Sequence, residues 1–162
     1  MIQRAFDLAR LGAKVARPET MRTPEEVLPA VVKALRRRRV PFLIHGAWAL
    51  AAYGFARATE DFDFLILLDE RNVRRLERAM ADLHAVRVAP GSAVHVMFNA
   101  YGWRLDFFLE PPRGFVALQR RGVRRRFLRM VLPVIAKADL VRRKRARGTL
   151  QDRADIERLL GA

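Results

Sequence analysis

The sequence predicts an α/β (α+β) chain, a small mixed β-sheet flanked by helices. Three observations carry this. Short apolar runs of strand length, at 41–45, 61–68 and 94–99, alternate with amphipathic stretches of helical period. Two of the helical stretches open on capping residues, Thr23 and Asp69. Glycine and proline fall between the elements, at Gly46, Gly54, Gly102, Pro111-Pro112 and Gly148.

In chain order, 3–16 reads as an amphipathic helix with Phe6, Leu8, Leu11 and Val15 among its apolar positions, broken at Arg17-Pro18. Thr23-Pro24-Glu25-Glu26 starts the next helix. Thr23 is the N-cap, Pro24 fits the first turn and Glu26 completes a capping box. That helix turns Val27, Leu28, Val31, Val32 and Leu35 inward and ends in Arg36 to Arg39, whose cations suit the negative end of the helix dipole. A strand at 41–45 leads into a short Ala-rich helix at 47–53 with Trp48 in the core, then a strand at 61–68. Asp69 caps a helix over 70–84, with Val73, Leu76, Met80 and Leu83 on one stripe. Strands follow near 85–89, 94–99 and 103–109, the last two joined by a hairpin turn at 99–102. Pro111-Pro112 stops the third of them. A short helix over 114–121, an extended stretch over 122–135 and helices over 136–147 and 150–160 complete the chain.

The stretch from Gly46 to Phe64 organises the rest. A glycine meets the end of an apolar run, and the stretch closes on Asp61 and Asp63 inside another. Side chains alternate along a strand, so these two carboxylates share a face. Held side by side they repel unless a cation lies between them, and their oxygen ligands suit Mg2+ or Mn2+. The alternative is a solvent-facing strand edge. Gly54, Arg57, Thr59, Asp61 and Asp63 form the pattern Gly-x-x-Arg-x-Thr-x-Asp-x-Asp, and Asp106 follows within a further strand. Over roughly 40–160 this ordered set resembles the nucleotidyltransferase superfamily, with its nearest likeness in the minimal and toxin–antitoxin-associated branches. The family's second Gly or Ser is replaced here by Ala47.

The resemblance implies a nucleotidyltransferase fold and one domain over 1–162, with N-terminal helices at 1–39, a catalytic core at 40–110 and a C-terminal helical tail at 111–162. It implies that Asp61, Asp63 and Asp106 are the catalytic metal ligands and hold two divalent ions, one activating the attacking group and the other holding the NTP substrate. Gly46 and Ala47 would offer backbone N–H groups to the triphosphate; Gly46 alone would also serve a tight strand-to-helix turn. Arg57 either holds a phosphate or pairs with an acid to fix the turn. Thr59 either orients Asp61 or caps the turn. Arg104 is placed to pair with Asp106 on the same face. The family's tail helix puts a basic residue near the nucleotide, and Lys144 occupies that place beside Arg142, Arg143, Arg145 and Arg147. Asp152 is either a family tail acid or a first-turn acid favoured by the dipole.

Composition narrows the partners. Of 162 residues, 51% are hydrophobic, enough for a substantial core. Without cysteine there are no disulfides or thiolate metal sites, and a cytoplasmic location follows as the default. The apolar runs are too short to span a bilayer, so no membrane partner is expected. His45, His84 and His95 match no zinc spacing. The net charge of +15 points to an anionic partner, with RNA first. Arg120 to Arg129 is the densest basic stretch, and with Arg142 to Arg147 it suits a groove for an RNA backbone.

These readings converge on transfer of a nucleoside monophosphate from an NTP to a hydroxyl, with RNA, such as a tRNA end, or protein as acceptor. The rival reading is a binding module of the same fold, antitoxin-like, with weak or no catalysis and a small protein partner or RNA. Ala47 is the residue that favours it.

Overall fold

Residues 22–161 are described by a computed structural model, so the helix expected over 3–16 lies outside the described residues. Helix α1 (Pro24–Arg37) starts at the predicted capping box, where the Glu26 carboxylate accepts from Thr23 N–H at 2.9 Å. All five residues expected to face inward from α1 are fully buried. β1 (Phe42–Ile44) follows, and α2 (Gly46–Ala52) begins one residue later. β2 is Asp61–Leu67. α3 (Glu70–Ala81) is capped by Asp69, which accepts from Asn72 N–H at 3.0 Å. β3 (Val86–Ser92), β4 (His95–Ala100) and β5 (Trp103–Glu110) run as consecutive antiparallel strands, joined by turns.

The segment expected to be a helical tail is part helix, part sheet. After α4 (Pro112–Arg121), β6 (Val123–Phe127) and β7 (Met130–Val134) form a hairpin, and β7 joins the sheet parallel to β1. Its two-residue turn puts Leu128 and Arg129 at φ 44° and 60°. Such turns normally announce themselves with Asn or Gly, which is why 122–135 reads only as extended from its residues. α5 (Lys137–Arg147) and α6 (Leu150–Leu160) pack on each other at the end of the chain.

The seven strands run in the order β3-β4-β5-β2-β1-β7-β6. The central pair, β2 and β5, is parallel and places Asp61 opposite Arg104 and Asp63 opposite Asp106. Period-two alternation then sorts the two faces. Phe62, Phe64 and Ile66 are buried on the side away from the aspartates, and Phe64 stacks on Phe107 at 5.0 Å between ring centroids. Each buried phenylalanine contributes roughly 2 kcal/mol, and this core holds the register that brings the acids together. In β4, Val96 and Phe98 are buried. Val94 precedes the strand and is exposed.

Candidate active site

Asp61 and Asp63 project from β2 and Asp106 from the adjacent β5. One carboxylate oxygen from each lies within 4.8 Å of the others. All three line a cavity of about 480 Å³ shared with Gly46, Ala47, Arg57, Thr59, Glu60, His95, Arg104 and Arg147.

Gly46 carries α2 past the carboxylates. It sits at φ +62°, and a Cβ there would stand 1.7 Å from Asp63 Oδ2. Only glycine satisfies both the backbone angle and that approach. The turn is also tied to β2, since His45 N–H donates to the Asp63 carbonyl at 3.0 Å. Trp48 stacks on Phe62 and donates from its indole N–H to the Asp61 carbonyl at 2.8 Å.

The carboxylates differ in their surroundings. Thr59 Oγ1 donates to Asp61 Oδ1 at 2.8 Å, so Thr59 orients this acid. Asp106 is buried, with His95 Nε2 2.7 Å from Oδ1 and Arg104 Nε 2.7 Å from Oδ2. Arg104 also donates from Nη2 to Asp61. Burial, with Asp61 and Asp106 close by, pushes the Asp63 carboxyl up to about 7. Crowded acids of this kind are what a divalent cation relieves.

Of the two readings of Arg57, the pairing with an acid is the one seen. Arg57 lines the cavity, and its Nε donates to Asp155 at 3.2 Å. Lys144 does not line the cavity. Its ammonium is buried, donating to Asp155 at 2.7 Å and lying 3.4 Å from Asp152. From the same helix it is Arg147 that reaches the cavity, braced by Asp152 at 2.6 Å and 2.7 Å. Helical spacing explains the exchange, because residues three apart lie on neighbouring parts of one face and the longer arm extends past the buried one. Asp152 lies in the first turn of α6, where it completes a capping box with Thr149, and it also braces Arg147. Asp152 and Asp155 would be raised by burial alone, but their hydrogen bonds from Arg147 and Thr149, and from Lys144 and Gln151, hold both below the usual carboxylate range.

His95 and Arg147 were not singled out by sequence. Only pairing of β4 with β5, and of α5 with α6, brings them to the carboxylates. His45 caps α2. Burial and the nearby cations push its imidazole down to about 3, so it is neutral. Its Nδ1 has no hydrogen-bond partner among the described residues.

A glycine turn leading into a short helix, followed by paired aspartates on one strand and a third on its neighbour, defines the nucleotidyltransferase fold, and this chain has it. Solved structures with this fold superpose over most of the chain. A Thermotoga maritima protein classed as a nucleotidyltransferase is 16% identical with a TM-score of 0.62, covering 90% of this chain and 94% of its own. ANT(2")-Ia in complex with adenylyl-2"-tobramycin is 12% identical with a TM-score of 0.64, covering 85% and 88%. The lincosamide antibiotic adenylyltransferase LnuA, lincomycin-bound, is 13% identical with a TM-score of 0.66, covering 86% and 96%. At these identities the likeness is one of fold. No family model and no curated sequence matches the chain.

Proposed function

We propose that the protein is a metal-dependent nucleotidyltransferase that moves a nucleoside monophosphate from an NTP to a hydroxyl acceptor, with pyrophosphate leaving. The observation that carries this reading is the convergence of Asp61, Asp63 and Asp106 beside the Gly46 turn. The donor set is all carboxylate oxygen and clustered within 4.8 Å, which suits Mg2+ or Mn2+. Bound there, the metal would supply activation of the acceptor hydroxyl and charge neutralisation for the leaving pyrophosphate.

The remaining work falls to the chain's own groups. Gly46 and Ala47 line the cavity at the start of α2, where backbone N–H groups lack intrahelical partners and suit phosphate oxygens. Ala47 retains that amide. Arg57 and Arg147, each braced by a buried acid, take up triphosphate charge. Thr59 and His95 hold Asp61 and Asp106 in orientation.

For the acceptor we favour RNA. Arg124, Arg125 and Arg126 are all exposed on β6, the edge strand, in a chain of net charge +15. A cationic aminoglycoside suits such a surface poorly. The same reading takes the chain as one cytoplasmic domain. Among the described residues no helix is long and apolar enough to cross a membrane.

Calorimetry with each NTP, with and without Mg2+, tests the reading on wild type and on the double variant Asp61→Ala, Asp63→Ala. Metal-dependent binding by wild type alone is the expected result, followed by transfer of label from α-labelled NTP to RNA. No NTP binding by folded wild type rules the enzyme out in favour of a binding module.

A further inference from the structure

Arg104 has a position that the reaction above leaves unexplained. It lies opposite Asp61 in the β2–β5 register and two residues before Asp106, so its side chain leaves the sheet on the carboxylate face. Nε donates to Asp106 Oδ2 at 2.7 Å while Nη2 donates to Asp61 Oδ2. One guanidinium thus bridges the carboxylates of two of the three proposed metal ligands. The partners are not equally anchored. The Asp106 side chain is 3% exposed and the Arg104 side chain 50% exposed. Arg104 is the group that can leave, because its departure unpacks no core. A guanidinium remains charged at any physiological pH, so it competes with a cation by position and cannot be switched off by losing its proton.

We propose that Arg104 is a resident counter-ion of the carboxylate site, displaced from Asp61 and Asp106 when a divalent cation enters and then available to an anion in the same cavity, the nucleotide's triphosphate. The proposal rests on the metal-dependent reading above. Arg104 weakens the site for metal alone and makes metal and nucleotide bind cooperatively, since the released guanidinium finds a new partner only when phosphate is present. In the unloaded site Arg104 offsets part of the charge on Asp61 and Asp106.

The test is Mn2+ binding, followed by electron paramagnetic resonance of free Mn2+, on metal-free wild type, R104Q and R104S. Thermal unfolding is recorded alongside. Without nucleotide, both variants bind Mn2+ roughly tenfold more tightly than wild type, the effect of removing one nearby positive charge. Both melt lower than wild type without metal and recover with it. A non-hydrolysable NTP analogue raises Mn2+ affinity more in wild type than in either variant. A purely structural arginine predicts the reverse, weaker Mn2+ binding once the side chain is lost. Folded variants that bind Mn2+ no more tightly than wild type overturn the proposal and leave the metal reading standing. Absence of Mn2+ binding in all three proteins overturns both.

Discussion

Gly46→Ala isolates the contact on which the carboxylate cluster depends. The new Cβ would lie 1.7 Å from Asp63 Oδ2, whereas carbon and oxygen settle no closer than about 3.3 Å. Roughly 1.5 Å of movement is needed, by the Asp63 carboxylate or by the turn. The left-handed backbone adds about 1–2 kcal/mol for any residue with a side chain. Gly54→Ala is the matched control. It also has positive φ, at +97°, but its Cβ would meet nothing within 4 Å. Both variants should lose stability in urea through backbone strain, and their shared effect on the unfolded chain cancels between them. Only Gly46→Ala should lose metal affinity, by about 10- to 100-fold, the scale expected when the surroundings that orient a metal ligand are altered. Mn2+ titration of the two proteins side by side reads the difference. Equal Mn2+ affinities would show that Asp63 can swing aside at no cost, and the close approach of Gly46 would then have no part in building the site.

Asp63, with its carboxyl raised to about 7, holds a proton in the folded chain that the unfolded chain releases near pH 4. Stability of the metal-free protein should therefore fall as pH rises from about 4 to about 7, by at most about 4 kcal/mol. Asp63→Asn should flatten that slope, and urea midpoints at pH 5 and pH 8 in chelator decide it; equal slopes in the two proteins refute the assignment. Asp152 and Asp155 are depressed, so their stabilisation is present above about pH 4 and lost only below it, outside this window. Lys144→Met removes a buried counter-ion from both acids and should cost about 3 kcal/mol in urea unfolding; a loss below about 1 kcal/mol would mean Arg57 and Arg147 suffice. Arg57→Ala should weaken NTP binding about tenfold through loss of a charge-assisted contact. Asp155→Asn, which leaves Arg57 in place but loosens it, should weaken it by less. Calorimetry showing Arg57→Ala at wild-type affinity would remove this residue from the triphosphate site.

Local signals are legible in the sequence because they are set by near neighbours along the chain. Thr23 and Asp69 cap helices, and the Asp61–Leu67 alternation puts both acids on one face. The pattern from Gly54 to Asp63, with Asp106 downstream, was enough to anticipate one cavity. What stayed hidden depends on pairing between distant segments. Arg147 outranks Lys144 in the cavity because Asp152 and Asp155 draw the shorter ammonium into the interior, and nothing in a run of basic residues distinguishes the one that will be buried. The β6–β7 hairpin was legible only as extended chain, since its turn residues, Leu128 and Arg129, carry no turn chemistry. His95 reaches Asp106 across a strand pair, a relation visible in register and in no spacing along the chain.

Trp48 gives the site its own light. Trp48 and Trp103 are the chain's two tryptophans, and their rings lie 6.5 Å apart in one aromatic cluster around Phe62. The Trp48 indole N–H is bonded to the Asp61 carbonyl, so any shift of that aspartate on loading changes the polarity felt by the fluorophore. Tryptophan emission therefore comes from a single aromatic cluster, one of whose two indoles is bonded to the Asp61 backbone. Occupancy of the cavity can be followed by intrinsic fluorescence in real time, on a stopped-flow instrument, without a dye or an engineered reporter.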